Sequence, residues 1–434
     1  MKLGWRDLAD KRVALMLALG FSAGLPFLMV FGTLSVRLRE AGVPVTTIGL
    51  FSWLALAYSL KFVWAPLVDA FDVPLLARLV GRRRAWMMAC QLLVALALIA
   101  AGLSDPTVSI ATTAAFTFVV AFGSATQDVV VDGWRIDAAP LEKQGIMAAA
   151  YQLGYRLALL CAGAGALYIA EFVDWRTAYF SMAALMGVGF VAAILSPIVD
   201  RAPGDKPAAA EAAKRFDFAR AIKEPVADLY RRTGRTIVPI LALVALYRLP
   251  DFVAGVMSNP LYVDLGFSKV QIASVAKLYG IWIGIVGAFV GGILVSKLGL
   301  YRTMLIGAVL SLVSHLLFAW LSGQGASLEA LILAISVDNF AGSFSGTALI
   351  AYMSGLTGAG FSATQYALLS SLYALPGKVV GGISGFIVAA YGYAAFFMLT
   401  AAIGIPVLAL VYGVARSPVG GLRPVKSDPG PSPP

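Results

Sequence analysis

Charge is what this chain has least of. Asp, Glu, Lys and Arg make up 13% of its 434 residues against 60% hydrophobic ones, and the mean hydropathy is +0.84. That balance excludes an ordinary soluble domain. Cysteine is nearly absent. The two present, Cys90 and Cys161, fall inside apolar runs without metal-ligand spacing, so each reads as a small buried apolar side chain and no disulfide framework is implied. The single histidine, His315, also sits in an apolar run and reads as a buried hydrogen-bonder rather than a proton carrier. No Gly-x-x-x-x-Gly-Lys-Ser/Thr loop and no metal-ligand cluster is present. Neither an ATP-driven engine nor an enzyme is supported, and no cofactor, metal or catalytic residue is expected.

What fills the sequence instead is apolar runs of about 18 residues or more, long enough to cross about 30 Å of hydrocarbon as helices. They are placed at 12–36, 47–70, 85–104, 107–131, 144–170, 176–197, 236–256, 268–296, 302–322, 327–355, 363–389 and 392–415. The expected fold is therefore an all-α integral membrane protein of about twelve transmembrane helices. The charged start, Met1 to Lys11, and the length of the first run argue for a retained anchor rather than a cleaved signal.

The net charge of +10 is explained by topology and needs no nucleic acid. Lys2, Arg6, Lys11 and Arg12 precede the first span, Arg78 and Arg82 to Arg84 follow the second, and basic residues crowd the stretch from Arg201 to Arg235. The other side carries little beyond Arg37, Arg39, Arg176 and Lys269, so both termini and the central stretch are expected on the cytoplasmic side.

That central stretch breaks the apolar pattern and divides the chain: a six-helix bundle over 1–197, a linker over 198–235, a second bundle over 236–415 and a Pro-, Gly- and Ser-rich disordered tail over 416–434. Phe216 to Tyr230 has an amphipathic pattern. It fits a helix lying on the cytoplasmic face or a partly ordered tether. The bundles are related by a shift of about 220 residues. Ala41-Gly-Val-Pro-Val-Thr-Thr-Ile-Gly-Leu50 parallels Leu265-Gly-Phe-Ser-Lys-Val-Gln-Ile-Ala-Ser274, and Trp175-Arg-Thr-Ala-Tyr-Phe-Ser-Met-Ala-Ala184 parallels Tyr393-Ala-Ala-Phe-Phe-Met-Leu-Thr-Ala-Ala402. Repeats of this kind mark transporters. Gly292-Ile-Leu-Val-Ser-Lys-Leu-Gly-Leu-Tyr-Arg302 resembles the Gly-x-x-x-Asp-Arg-x-Gly-x-x-Arg loop of the major facilitator superfamily, and Asp69 through Gly81-Arg-Arg-Arg84 is a stretched counterpart. Cations of such loops pair with helix-end carboxylates as a cytoplasmic latch. Asp69, Arg82, Arg83, Arg84, Arg135, Lys297 and Arg302 are the gate candidates.

The densest polar stretch is Ser124-Ala-Thr-Gln-Asp-Val-Val-Val-Asp-Gly-Trp-Arg-Ile-Asp137. On a helix Asp128, Asp132 and Arg135 share one face and Asp137 points elsewhere. Two carboxylates one turn apart repel, and the pair reads equally as a proton site or as a gate locked by loop arginines. Asp251 is the next proton-coupling candidate. Pro250 breaks the seventh span beside it, and the neighbouring Arg248 either neutralises Asp251 or serves a ligand. Spans three, six and twelve carry no interior charge and read as scaffold, as does span nine, which has His315 alone. A charge at mid-membrane costs at least about 2.5 kcal/mol, so intramembrane ions are functional candidates. Lys61, Arg156, Lys277 and Lys378 fall one each on spans two, five, eight and eleven, and Asp128, Asp251 and Asp338 on spans four, seven and ten. So many cations point to an anionic small-molecule substrate, with aromatic residues such as Tyr247 alongside for stacking.

With these residues assembled, the chain resembles the AmpG muropeptide permease family, whose wider kin include acetyl-CoA transporters. The resemblance covers nearly all of the transmembrane part. It rests on Gly20-Phe-Ser-Ala-Gly-Leu-Pro26, Lys61-Phe-Val-Trp-Ala-Pro-Leu-Val-Asp69, Gly81-Arg-Arg-Arg84, Ser124-Ala-Thr-Gln-Asp-Val-Val-Val-Asp-Gly-Trp-Arg135, Leu153-Gly-Tyr-Arg156 and Phe361-Ser-Ala-Thr-Gln-Tyr-Ala-Leu-Leu369. It implies proton-coupled import of N-acetylglucosaminyl-anhydro-N-acetylmuramyl peptides across the bacterial inner membrane. It also implies roles for Gln127, Asp128, Lys61, Arg156 and Lys277, and an arrangement in which spans 1, 4, 7 and 10 line a cavity. The chain departs from the pattern in stopping after about twelve spans, where some members have two more, and in the choice of Arg248 and Lys378 where the family takes either cation. The substrate-binding set is thus Lys61, Gln127, Arg156, Tyr247, Arg248, Lys277, Asp338 and Lys378. The proton-coupling set is Asp128, Asp132 and Asp251. A related facilitator for another anionic metabolite, such as an acyl-CoA, and a non-transporting membrane sensor are the competing expectations.

Overall fold

Backbone groups out of reach of water must satisfy one another, and the chain does this with helices alone. In a computed structural model that describes residues 10–64, 68, 71–138, 141–198, 218–357 and 362–416, no strand occurs among the described residues. Ten helices there are long and apolar enough to cross a membrane. The expected count of about twelve is not reached by this measure, for a local reason. The second span appears as the shorter apolar stretch Val45–Leu60, broken by the 3-10 turn Ser52–Ala55 and running into another at Lys61–Val63. The eleventh, Ser362–Gly381, is diluted by Pro376, Lys378 and serines. The linker's amphipathic stretch is the helix Phe218–Thr233.

The chain divides into two compact units, residues 1–216 with 256–278 and residues 217–255 with 279–434. The first holds α1 (Lys11–Val30), α2 (Gly32–Glu40), α3 (Leu56–Leu60), α4 (Arg82–Leu103), α5 (Ile110–Ala138), α6 (Leu141–Leu160) and α7 (Trp175–Leu195). Its main core joins Leu25 and Met29 to Val94, Leu98, Ala158, Tyr179 and Met182. Along α1 and α6 the backbones nearly touch: a Cβ added at Gly154 would strike the Leu17 carbonyl, and one at Gly20 the Tyr151 carbonyl. Asp174 caps α7 by accepting the Thr177 N–H at 2.5 Å, a bond that holds its carboxyl below the usual range.

The second unit holds α8 (Phe218–Thr233), α9 (Ile237–Leu246), the first part of α10 (Leu249–Asp264), α11 (Gly280–Leu298), α12 (Leu300–Leu321), α13 (Leu328–Leu356), α14 (Ser362–Gly381) and α15 (Ser384–Arg416). Ile240, Leu243, Tyr247, Met304, Leu349, Tyr352, Val407 and Val411 fill its core. α15 is two helices meeting at Gly392, whose φ of 78° no other residue type adopts cheaply. On α8, Asp228 pairs with Arg232 at 3.0 Å, and both bond Gln365 of α14, at 2.9 and 3.0 Å.

The repeated text folds alike. After α2, Gly42 (φ 79°) bonds back to the Arg39 carbonyl and Val43 to that of Leu38; after α10, Gly266 (φ 87°) bonds to Val263 and Phe267 to Tyr262. Both are Schellman endings. Likewise Gly81 (φ 84°, ψ 157°) precedes α4 and Gly299 (φ 81°, ψ 162°) precedes α12.

Gly266→Ala is expected to lower stability by about 1–2 kcal/mol, since an L side chain at positive φ is strained. Gly255→Ala, inside α10 where an added Cβ meets nothing within 4 Å, should raise it by up to about 1 kcal/mol. Thermal unfolding of the two variants in detergent checks this, and shifts of the same sign would refute the C-cap assignment.

Candidate functional site

Three polar clusters stand among the apolar helices. The first surrounds Asp128 on α5. Lys61 Nζ lies 3.6 Å from Asp128 Oδ2, and the Tyr151 hydroxyl of α6 donates to Asp128 Oδ1 at 3.2 Å. The carboxylate is 15% exposed and the lysine 33%, so the pair is half withdrawn from water. Asp132, one turn further along α5, is exposed and also pairs with Arg135 at 3.5 Å.

The loop arginines expected to lock Asp128 bond elsewhere. Arg82 pairs with Asp72 at 3.4 Å and donates to the Val68 carbonyl, Arg84 donates to the Ala193 carbonyl at 3.1 Å, and the Arg83 guanidinium lies against Gly133. Asp69 lies outside the described residues. Lys297 and Arg302 flank Gly299, are exposed, and have no carboxylate in ion-pair range among the described residues.

The second cluster, also in the first unit, is built on irregular helix. Ile272–Tyr279 and Cys161–Gly165 are both wound as π-helix, a form that recurs at functional sites. Lys277 projects from the former. Its side chain passes Gly163, its Nζ comes up to Gly32, and it donates to Asn259 Oδ1 at 2.8 Å. Among the described residues Lys277 has no carboxylate partner. Tyr168, on the α-helical stretch Ala166–Phe172 that follows the first π segment, pairs its hydroxyl with that of Ser274 in the second at 2.6 Å, and Thr33 donates to the Ala162 carbonyl at 2.6 Å. Arg156, on α6, is exposed with no ion-pair partner among the described residues.

Gln127 occupies a different place from the rest of the substrate set. It is fully buried and donates to Ser22 Oγ at 2.7 Å, a hydroxyl shared with Gln91 of α4 at 3.3 Å. It knits α1, α4 and α5.

The third cluster belongs to the second unit. Arg248 Nε lies 2.6 Å from Asp251 Oδ2, while Arg248 Nη1 donates to the Gly342 carbonyl at 2.5 Å. The Ser311 hydroxyl donates to Asp251 Oδ1, and Ser314 to Asp338 Oδ1 at 2.7 Å. Tyr247 is buried, its hydroxyl donating to the Met304 carbonyl at 2.8 Å. Lys378 is half-buried in the last turn of α14. His315 is buried as expected, but it is not isolated: Nε2 faces Asp251 Oδ1 at 3.3 Å.

A fourth set of charges ties the far end of α2 to residues 264–269. Arg39 pairs with Asp264, Lys269 reaches Glu40 at 2.5 Å and Glu171 at 3.3 Å, and Trp175 Nε1 donates to Glu40 at 2.6 Å. Asn259, Tyr151, this ion-pair set and His315's role escape a reading by hydropathy. For the last a signal exists: Ser311, Ser314 and His315 stand at i, i+3 and i+4, a polar stripe on an apolar helix.

Lys61→Met leaves the half-buried Asp128 charge without its cation and should destabilise by about 1–3 kcal/mol, the lower end reflecting the lysine's exposure. Adding Asp128→Asn should recover most of that loss. A double variant whose loss is the sum of the single losses would dissolve the pair.

The Major Facilitator Superfamily profile matches residues 13–249. "Putative transporter AmpG 4" of Rickettsia felis is 36% identical over 401 residues, covering 92% of this chain and 95% of the relative. The anhydromuropeptide permease of Escherichia coli K12 is 35% identical over 409 residues, covering 94% of this chain and 80% of the permease. A solved bacterial homologue of the human lysosomal transporter Spinster superposes with a TM-score of 0.68 at 15% identity, over 96% of this chain and 99% of that one. A POT peptide transporter in complex with sulfate superposes with a TM-score of 0.68 at 14% identity, over 94% and 95%. At such identities the two structures speak for the fold alone.

Proposed function

The chain belongs to the AmpG-type permease family of the major facilitator superfamily, and on that premise we propose that it imports anhydromuropeptides, GlcNAc-anhydroMurNAc and its peptides, in symport with protons. It is a multi-pass membrane transporter. In this reading it sits in the bacterial inner membrane with both termini in the cytoplasm, and the import supplies cell-wall recycling.

The observation that carries the substrate class is Lys277. A half-buried ammonium answered by one neutral amide, Asn259 at 2.8 Å, lacks the counter-charge that makes such burial tolerable. The carboxylate of a lactyl or peptide group supplies it. Arg156, exposed and without an ion-pair partner among the described residues, offers a bidentate donor for a second acidic group. An acyl-CoA or other anionic metabolite would meet the same cations. Competition against labelled anhydromuropeptide separates the two substrates, and uptake itself separates both from a sensor.

Asp128 is the proposed proton carrier. Lys61 and Tyr151 answer its carboxylate directly, so protonation would free Lys61 and change what the pair holds. Arg82, Arg83, Arg84, Arg135, Lys297 and Arg302 are proposed to act at the gate. The Arg39–Asp264 and Lys269–Glu40 pairs are read as contacts that open and close at the other end of α2.

Lys277→Ala and Arg156→Ala should each cut uptake into proteoliposomes at least about tenfold, the worth of a charge-assisted bond of about 1.5–3 kcal/mol. Wild-type rates in both, with the variants correctly inserted, would move the substrate site elsewhere. Asp128→Asn keeps size and loses the titrating group. Accumulation driven by an imposed pH gradient should then collapse while substrate exchange continues, and gradient-driven accumulation at the wild-type level would return Asp128 to a gating role.

A further inference from the structure

The third cluster has a charge count that its surroundings do not balance. Arg248 supplies one fixed positive charge, and Asp251 and Asp338 supply two carboxylates. With a neutral imidazole the group is one negative charge in excess, among helices whose other side chains are largely apolar. One added proton brings it to neutrality.

The geometry offers that proton a place. His315 is 1% exposed, its Nε2 is 3.3 Å from Asp251 Oδ1, and its Nδ1 has no hydrogen-bond partner among the described residues. On the same face of α12, Ser311 donates to Asp251 and Ser314 to Asp338. One short polar stripe therefore addresses both carboxylates, with His315 beside them.

Among the described residues no further charge stands in ion-pair range of Asp251, Asp338 or His315; the nearest cation on α14 is half-buried Lys378, next to Gly377, which packs on Phe252. Asp251 faces the imidazole from the first turn of α10, and Arg248, its ion-pair partner, stands in the segment joining α9 and α10 beside Tyr247, whose hydroxyl is held by the Met304 carbonyl. Asp338 faces it from α13, where the remaining charge is Glu329 at the helix start. α11 carries only Lys297 near its end, α12 only Arg302 near its start, and α15 no Asp, Glu, Lys or His and a single terminal Arg416.

We propose that His315 is a proton-carrying residue of the transport cycle, and that the Arg248–Asp251–His315–Asp338 cluster holds one exchangeable proton in the second unit, distinct from the one assigned to Asp128. The proposal rests on the reading of the chain as proton-driven. Arg248 stays charged throughout. The proton resides on the imidazole as a paired cation of Asp251, or passes to the Asp338 carboxyl and leaves His315 neutral, so the cluster is neutral in both arrangements. Release of the proton restores the excess negative charge, which pulls the Arg248 guanidinium more tightly onto its carboxylates and away from the Gly342 carbonyl.

Because the chain has one histidine, a histidine-selective 15N label reports this site alone. In the full-length protein in liposomes, spectra taken with the buffer set between about pH 5 and 8 are expected to show the imidazole in both its neutral and its doubly protonated form. An imidazole locked in one state across that range overturns the proposal, and this measurement needs no variant to fold. Alongside it, His315→Gln is tested for uptake of labelled anhydromuropeptide with and without an imposed pH gradient. The expected result is loss of gradient-driven accumulation with retained exchange of substrate down its own gradient. Accumulation equal to wild type overturns the proposal while leaving proton coupling intact. Should the wild-type protein itself accumulate substrate equally without the gradient, the proton-driven reading falls and takes the proposal with it, a failure seen before any variant is made.

Discussion

A charge carried among apolar helices must be answered by another charge or by dipoles, and the polar chemistry of this transporter is arranged by that requirement. Arg37 is buried and answered by the Ala101 and Ser104 carbonyls at 2.8 and 2.5 Å, with the Tyr179 ring beneath it. Asp128 is answered by Lys61 and Tyr151, Asp251 by Arg248 and His315. Lys277 is held by one amide oxygen, with no carboxylate in ion-pair range among the described residues.

The scaffold is repeated while the chemistry is not. Schellman endings at Gly42 and Gly266, and matching glycines at Gly81 and Gly299, show the same local folding solutions in both halves of the sequence. On that frame the first unit places a lysine–aspartate pair and an isolated lysine, and the second places an arginine with two carboxylates and an imidazole. The helix ends recur, while the polar side chains set between them differ from one unit to the other.

Both π-helical segments among the described residues stand beside Lys277. The π segments Cys161–Gly165 and Ile272–Tyr279 meet around Lys277 through Gly163 and the Tyr168–Ser274 bond. Lys277 lies within the wider-wound turn, with its Nζ on Asn259 and beside Gly32. Such a departure has no signature in hydropathy, because winding depends on what the neighbouring helix allows.

Hydropathy and charge placement were sufficient for the class of protein, because the cost of exposing backbone to hydrocarbon leaves helices as the one solution for these runs. They also singled out Asp128, Lys61, Lys277, Arg248 and Asp251 as candidates, since an ion in an apolar run is costly wherever it packs. Pairing was beyond them. One-turn spacing set Asp132 beside Asp128, yet Asp132 turns to Arg135 while Asp128 takes Lys61 from a distant part of the sequence. Gln127 and Tyr247 look like ligands in sequence and are held by Ser22 and the Met304 carbonyl in the fold. His315, on a span that reads as scaffold, meets Asp251 from a remote part of the chain, a separation that only helix packing closes. The sequence by itself determined what must leave water, because transfer free energy is a property of each residue. Only the tertiary structure decided which charge answers which, because that depends on angstrom distances between helices far apart along the chain.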